Sequence, residues 1–83
     1  MTEAEILAIL TGLLRSVLDN PDIELKPTDR ERDVPGFDSA QKVHLLLAVE
    51  ERFAIRLRSR EIDALRTVAD WTRTIHSHCG ADA

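Results

Sequence analysis

Pro35-Gly36-Phe37-Asp38-Ser39-Ala40-Gln41-Lys42-Val43-His44-Leu45-Leu46-Leu47-Ala48-Val49-Glu50-Glu51-Arg52-Phe53 is a turn that runs directly into a long apolar helical pattern. Pro35 and Gly36 break whatever precedes them. Asp38, with Gln41 three residues on, fits a helix cap and predicts a helix over about 38–53. Ser39 then falls on the first helical position with its hydroxyl uncommitted. Backbone N–H groups have no intrahelical partner there and favour a bound phosphate. Serine is common at helix starts in its own right, so the reading of Ser39 depends on the rest of the chain.

Two apolar stripes follow Ser39. Leu46, Val49 and Phe53, with Leu45 beside them, form the expected core face. Ala40, Val43 and Leu47 lie on a second face, about a third of a turn away at about 100° per residue. A helix packed against one core needs only the first stripe. The second is expected to contact a partner, with packing on a neighbouring helix as the other outcome.

Outward from this helix, the N-terminal side opens on Thr2-Glu3-Ala4-Glu5, a capping box. Ile6, Leu10, Leu13 and Val17 then recur at helical spacing, which predicts a first helix over about 2–18 ended by Asp19-Asn20-Pro21. The loop over 19–37 is long for a connection. Ile23, Leu25, Val34 and Phe37 are expected to pin it against the bundle. On the C-terminal side, Ser59 can cap a short helix over about 59–65. Thr67 with Asp70 can start a last helix over about 67–78, carrying Val68, Trp71 and Ile75 at core spacing. The tail Gly80-Ala81-Asp82-Ala83 is expected to fray. The predicted fold is all-α, a single domain over 1–83 with three main helices, one short third helix and a long first loop.

Composition narrows the function. The 83 residues suffice for one small domain, and the single cysteine, Cys79, cannot form an internal disulfide. A net charge of −4 argues against nucleic acid as the main partner. Aromatic residues are few (Phe37, Phe53, Trp71), which weighs against a base-stacking surface. The acidic N-terminus does not read as a secretory signal, and no apolar run reaches membrane-spanning length, so a soluble cytoplasmic monomer is expected. His76-Ser77-His78-Cys79 offers three metal-type ligands at a spacing that matches no standard zinc site, and no metal is expected. His44 has no nucleophile partner in the pattern, and no catalytic residue is expected.

Gly36-Phe37-Asp38-Ser39-Ala40, followed by Val43, Leu46, Val49-Glu50-Glu51-Arg52-Phe53 and Ile55, and later by Thr67-Val68-Ala69-Asp70, resembles the acyl carrier and peptidyl carrier protein family. The likeness spans nearly the whole chain in helix order and loop placement, and it implies a four-helix bundle of acyl-carrier type. It further implies that Ser39 carries 4′-phosphopantetheine, taken from coenzyme A by a phosphopantetheinyl transferase, with Asp38 as its neighbouring acid. The cargo would ride as a thioester on the arm's thiol and be presented to partner enzymes. The carrier itself would break no bonds. The resemblance makes Ala40, Val43, His44, Leu47, Glu50 and Glu51 the expected partner-binding residues.

Three departures from the family pattern sharpen this expectation. Ala40 stands where leucine is usual. Gln41, Lys42 and His44 occupy positions that are densely acidic in fatty-acid-synthesis carriers. Arg52, Arg56, Arg58 and Arg60 cluster behind them. Charge of this kind governs partner choice and on-rate. It favours a stand-alone carrier of a dedicated pathway, meeting its own acyl- or aminoacyl-activating ligase or synthase, over the general fatty-acid carrier. The competing expectation is a helical interaction module that keeps the scaffold and carries no arm.

Overall fold

In the computed structural model, which describes residues 1–80, the first helix, α1, spans Glu3–Val17. Its start is the reciprocal cap. The Glu5 N–H donates to Thr2 Oγ1 at 3.1 Å, and the Thr2 N–H donates to Glu5 Oε1 at 2.9 Å. Ile6, Leu10 and Leu14 form its fully buried row, one residue per turn at i, i+4, i+8. This corrects the expected row through Leu13 and Val17, which flank it half-buried. The helix also stops before Pro21 is reached. Asp19 turns into the left-handed region (φ +51°), and its N–H and that of Asn20 close back on the carbonyls of Ser16 (3.2 Å) and Arg15 (2.9 Å). That paired closure satisfies carbonyls the helix end would otherwise leave free.

The loop to the next helix is held at several points. Ile23 and Val34 are buried in the core, and Leu25 and Phe37 pack against it half-buried. Arg15 Nε donates to the Ile23 carbonyl at 2.7 Å. A 3₁₀ turn over Glu31–Asp33 breaks the loop. Further back, the carbonyls of Pro27 and Asp29 accept the N–H groups of Ala69 and Val68, each at 2.9 Å. These are the first, unpartnered donors of the last helix. The loop therefore works as the cap of an element some forty residues away, a contact with no local trace in the sequence.

Helix α2 spans Ser39–Phe53. Its buried positions are Leu45 and Val49, again an i, i+4 row. Both belong to the expected core face, whose centre lies on Leu45 and Val49, with Leu46 and Phe53 packed half-buried at its edges. Val43 and Leu47 on the second stripe are 53% and 58% exposed. The helix ends at Ala54, whose φ of +56° lies in the left-handed region, with the Ile55 N–H closing on the Glu50 carbonyl at 3.1 Å. An alanine pays a steric penalty there that glycine avoids. Ala54→Gly is therefore expected to stabilise the fold by about 0.5–1 kcal/mol, read as a rise in the urea midpoint.

After α2 the chain is extended, with Ile55 and Leu57 half-buried and Arg56 and Arg58 outward. Helix α3 is short, Ser59–Asp63. Arg58 rather than Ser59 is its cap residue: the Arg58 N–H donates to Glu61 Oε1 at 2.9 Å, so the third helical residue reaches back to the cap. Leu65, expected inside this helix, is buried just beyond it.

Helix α4 runs Val68–Gly80 and buries Val68, Trp71, Thr72 and Ile75. The expected fraying tail lies, beyond Gly80, outside the described residues. Asp70 anchors the start of α4. Its Oδ2 accepts from the N–H groups of Thr67 and Arg66, both at 3.0 Å, and its own N–H faces Thr67 Oγ1 at 3.3 Å. The Thr67 N–H first, then that of Arg66, holds the Asp70 carboxyl below its ordinary value of 3.8. Asp70→Ala is expected to cost about 1 kcal/mol at neutral pH. Because the folded-state value is depressed, that contribution is present above the ordinary value and disappears as pH falls through the folded one. The gap between wild type and variant in denaturant unfolding should therefore start to narrow near pH 3.8 and close once pH falls below the depressed folded-state value.

The assembled architecture is all-helical among the described residues, with α1 packed on both α2 and α4. One core of Ile6, Leu10, Leu14, Ile23, Val34, Leu45, Val49, Leu65, Val68, Trp71 and Ile75 joins α1, α2, α4 and the segment after α3 to the long loop.

Candidate functional site at the start of the second helix

The site begins with a tight turn. The Phe37 N–H closes on the Val34 carbonyl at 3.2 Å, with Pro35 and Gly36 between them and Gly36 at φ +80°. Proline pre-sets the first central position of such a turn, and glycine supplies the positive φ that the second requires. The turn delivers Asp38 in extended conformation as the cap of α2. Asp38 Oδ1 accepts from the Gln41 N–H at 2.9 Å, and its carbonyl accepts from the Lys42 N–H at 2.9 Å.

Asp38, Ser39 and Ala40 are all exposed. Among the described residues the Ser39 hydroxyl makes no hydrogen bond, and the N–H groups of Ser39 and Ala40 have no protein partner. The arrangement is a free hydroxyl with two outward donors at the positive end of a helix. An anion at such a helix end gains about 0.3–1 kcal/mol. Beside the serine, Lys42 Nζ pairs with Glu31 Oε2 of the 3₁₀ turn at 2.8 Å. The long loop is thus tied to the first turn of α2. Composition alone does not disclose this pair, since its members lie on different elements.

The expected docking residues are distributed unevenly. Ala40, Val43 and Leu47 share the exposed stripe. His44 is exposed next to it, its Nδ1 3.2 Å from Gln41 Oε1. Leu47, Glu50, Glu51, Ile55 and Arg56 line one shallow groove at the far end of the stripe. Glu50 is only partly available: its Oε2 accepts from the Leu57 N–H at 2.8 Å and fixes the path of the chain leaving α2. Arg52, Arg56, Arg58 and Arg60 are exposed. The Arg52 guanidinium lies 5.8 Å from the Phe53 ring centroid.

At the other end, His78 Nε2 sits 2.9 and 3.2 Å from the two oxygens of Glu61, tying α4 to α3. The Arg58 N–H first, with His78 as a further contributor, holds the Glu61 carboxyl below its ordinary value. Cys79 packs half-buried against the core. No group of three or more metal-type side chains gathers among the described residues. Between the loop and the helices lies a mostly apolar cavity of about 30 Å³, bounded by Leu10, Leu14, Leu25, Val34, Phe37, Leu45 and Trp71 among others. That is room for about one water molecule. No described helix is long and apolar enough to cross a membrane.

The described residues thus form a small helical bundle that buries its apolar rows, frees one serine at a helix start and leaves an apolar stripe beside it. The family model for the phosphopantetheine attachment site matches residues 8–75. The acyl carrier protein of Acidothermus cellulolyticus is 30% identical over 70 residues, covering 84% of this chain and 83% of that protein. The solution structure of a holo acyl carrier protein from Geobacter metallireducens superposes with a TM-score of 0.85 at 24% identity, covering 92% of this chain and 87% of that one. The chain belongs to the phosphopantetheine attachment-site family, as a carrier domain of the acyl carrier type. It is a carrier rather than a catalyst, and its prosthetic group is phosphopantetheine.

Proposed function

We propose that this protein is a stand-alone carrier that receives 4′-phosphopantetheine on Ser39 and presents an acyl or aminoacyl cargo to the enzymes of a dedicated pathway. The observation that carries the reading is the exposed Ser39 hydroxyl, free of hydrogen bonds on the first turn of α2. A transferase reaches it without unfolding anything. In the attachment, the Ser39 oxygen bonds to the pantetheine-side phosphorus of coenzyme A, the bond to adenosine 3′,5′-bisphosphate breaks, and the serine proton leaves to a base. When attached, the arm supplies a terminal thiol that holds cargo as a thioester.

The chain's own residues do the presenting. Asp38 fixes the first turn through the Gln41 N–H. The turn at Pro35-Gly36 holds the hydroxyl outward. Val43 and Leu47, each more than half exposed, give a transferase and a loading enzyme an apolar footing, with Ala40, His44 and Glu51 at its borders. The mixed charge of Gln41, Lys42 and His44, with the exposed arginines at 52, 56, 58 and 60, supports a partner set different from that of a densely acidic carrier. A phosphopantetheinyl transferase and an acyl- or aminoacyl-activating ligase or synthase are the partners this reading names.

The test is incubation with coenzyme A and a broad-specificity phosphopantetheinyl transferase, followed by fragmentation mass spectrometry. The expected result is one arm, localised to Ser39. An unmodified chain, or an arm on another residue, would overturn the assignment.

A further inference from the structure

Lys42 is the one lysine or arginine between Gly36 and Glu51. It stands three residues after Ser39 on α2, hence on the neighbouring strip of helix surface. Side chains on a helix lean toward its N-terminus, so the Lys42 stem runs back over the turn that bears Ser39. Its ammonium is already in use. It sits 2.8 Å from Glu31 Oε2, with the lysine side chain 22% and the glutamate side chain 38% exposed. Glu31 opens the 3₁₀ turn Glu31–Asp33, which leads through the buried Val34 into the Pro35-Gly36 turn.

We propose that Lys42 is the cation that receives the phosphodiester formed on Ser39, and that it gives up Glu31 to do so. The inference rests on the proposed attachment at Ser39. The phosphodiester carries a full negative charge and accepting oxygens, placed within one helical turn of a flexible ammonium with three donors. It competes with a carboxylate held across a solvent-facing gap. The 3₁₀ turn thereby loses its tie to α2. The chain registers its own modification as a loosening of the Glu31–Asp33 segment, on the face where enzymes approach the arm. The nearby groups do not replace Lys42. Asp33 Oδ2 accepts from the Arg30 N–H, Arg30 just before the 3₁₀ turn and Arg32 on it are exposed, and Asp38 is committed to the Gln41 N–H.

The experiment compares backbone amide spectra of the full chain before and after enzymatic attachment of the arm, in wild type, Lys42→Met, Lys42→Arg and Glu31→Gln. Intact mass is recorded on the same samples. In wild type, modification is expected to shift the amides of residues 31–34 as well as those flanking Ser39. The 31–34 shifts should be lost in Lys42→Met and Glu31→Gln and kept in Lys42→Arg. Unmodified Glu31→Gln should already resemble modified wild type over residues 31–34. If the mass gain occurs and the shifts stay confined to the residues flanking Ser39, or persist in Lys42→Met, the inference is wrong and the attachment stands. If no mass gain occurs at Ser39, the attachment and the inference fall together. Should Lys42→Met fail to fold, the Glu31→Gln comparison decides alone.

Discussion

Ser39→Ala is expected to abolish acceptance of the arm while leaving the fold intact. The variant, incubated with coenzyme A and a phosphopantetheinyl transferase, should keep its unmodified mass, where wild type is expected to gain one phosphopantetheine. On the proposed attachment the effect is all or none, because the serine oxygen is the atom that would form the new bond. No other described hydroxyl combines a free oxygen with a place on the first turn of a long helix beside an exposed apolar stripe. Stability should move by no more than about 0.5 kcal/mol, as for exposed positions without structural duty. The helix cap is Asp38, not Ser39. A thermal unfolding curve that overlays wild type, together with the lost mass gain, separates a chemical role from a structural one.

Ile75→Ala is the second large effect, and it acts through stability instead. Ile75 is 1% exposed, on the face of α4 turned to the core. Truncating a side chain so enclosed removes its burial and leaves a cavity, at a cost of about 2–5 kcal/mol. Small domains hold only about 5–15 kcal/mol in total, so the variant approaches the threshold of folding. The expected fall in Tm is roughly 10–30 °C. Leu47→Ala is the control on the same measurement. Leu47 is 58% exposed, and its truncation should change stability by no more than about 0.5 kcal/mol. Equal losses at the two sites would mean that the second stripe of α2 is core and not a docking surface.

The contrast between these positions also shows what was legible in the sequence. Thr2 with Glu5, Asp38 with Gln41 and Thr67 with Asp70 are local patterns, and each pair meets at a helix start. Helix order and the placement of Ser39 on the first turn of α2 follow from those signals and from apolar periodicity. Core rows were less legible, because a row and its neighbour differ by one residue when both are leucine-rich. Leu14 is buried where Leu13 was expected, whereas in α2 the buried Leu45 and Val49 both belong to the expected core face.

Least legible were contacts between distant segments. The Pro27 and Asp29 carbonyls on the first donors of α4, the Lys42–Glu31 pair and the Glu50–Leu57 bond leave no periodic or spacing signal. They depend on where the loop lands once the core closes. These ties also separate the site from an ordinary helix start. A serine after a cap is common, but here the loop before it is pinned by Ile23, Val34 and Lys42. The hydroxyl is therefore presented from a fixed frame, while the apolar stripe beside it stays uncovered.

The most direct test of the central claim is the mass of the protein purified from its own cell, before and after treatment with hydroxylamine, which cleaves thioesters. A working carrier is predicted to weigh more than its sequence by one phosphopantetheine plus a cargo. Hydroxylamine should remove the cargo and leave the arm on Ser39. A chain at its unmodified mass, or an adduct that maps to any residue other than Ser39, would contradict the account.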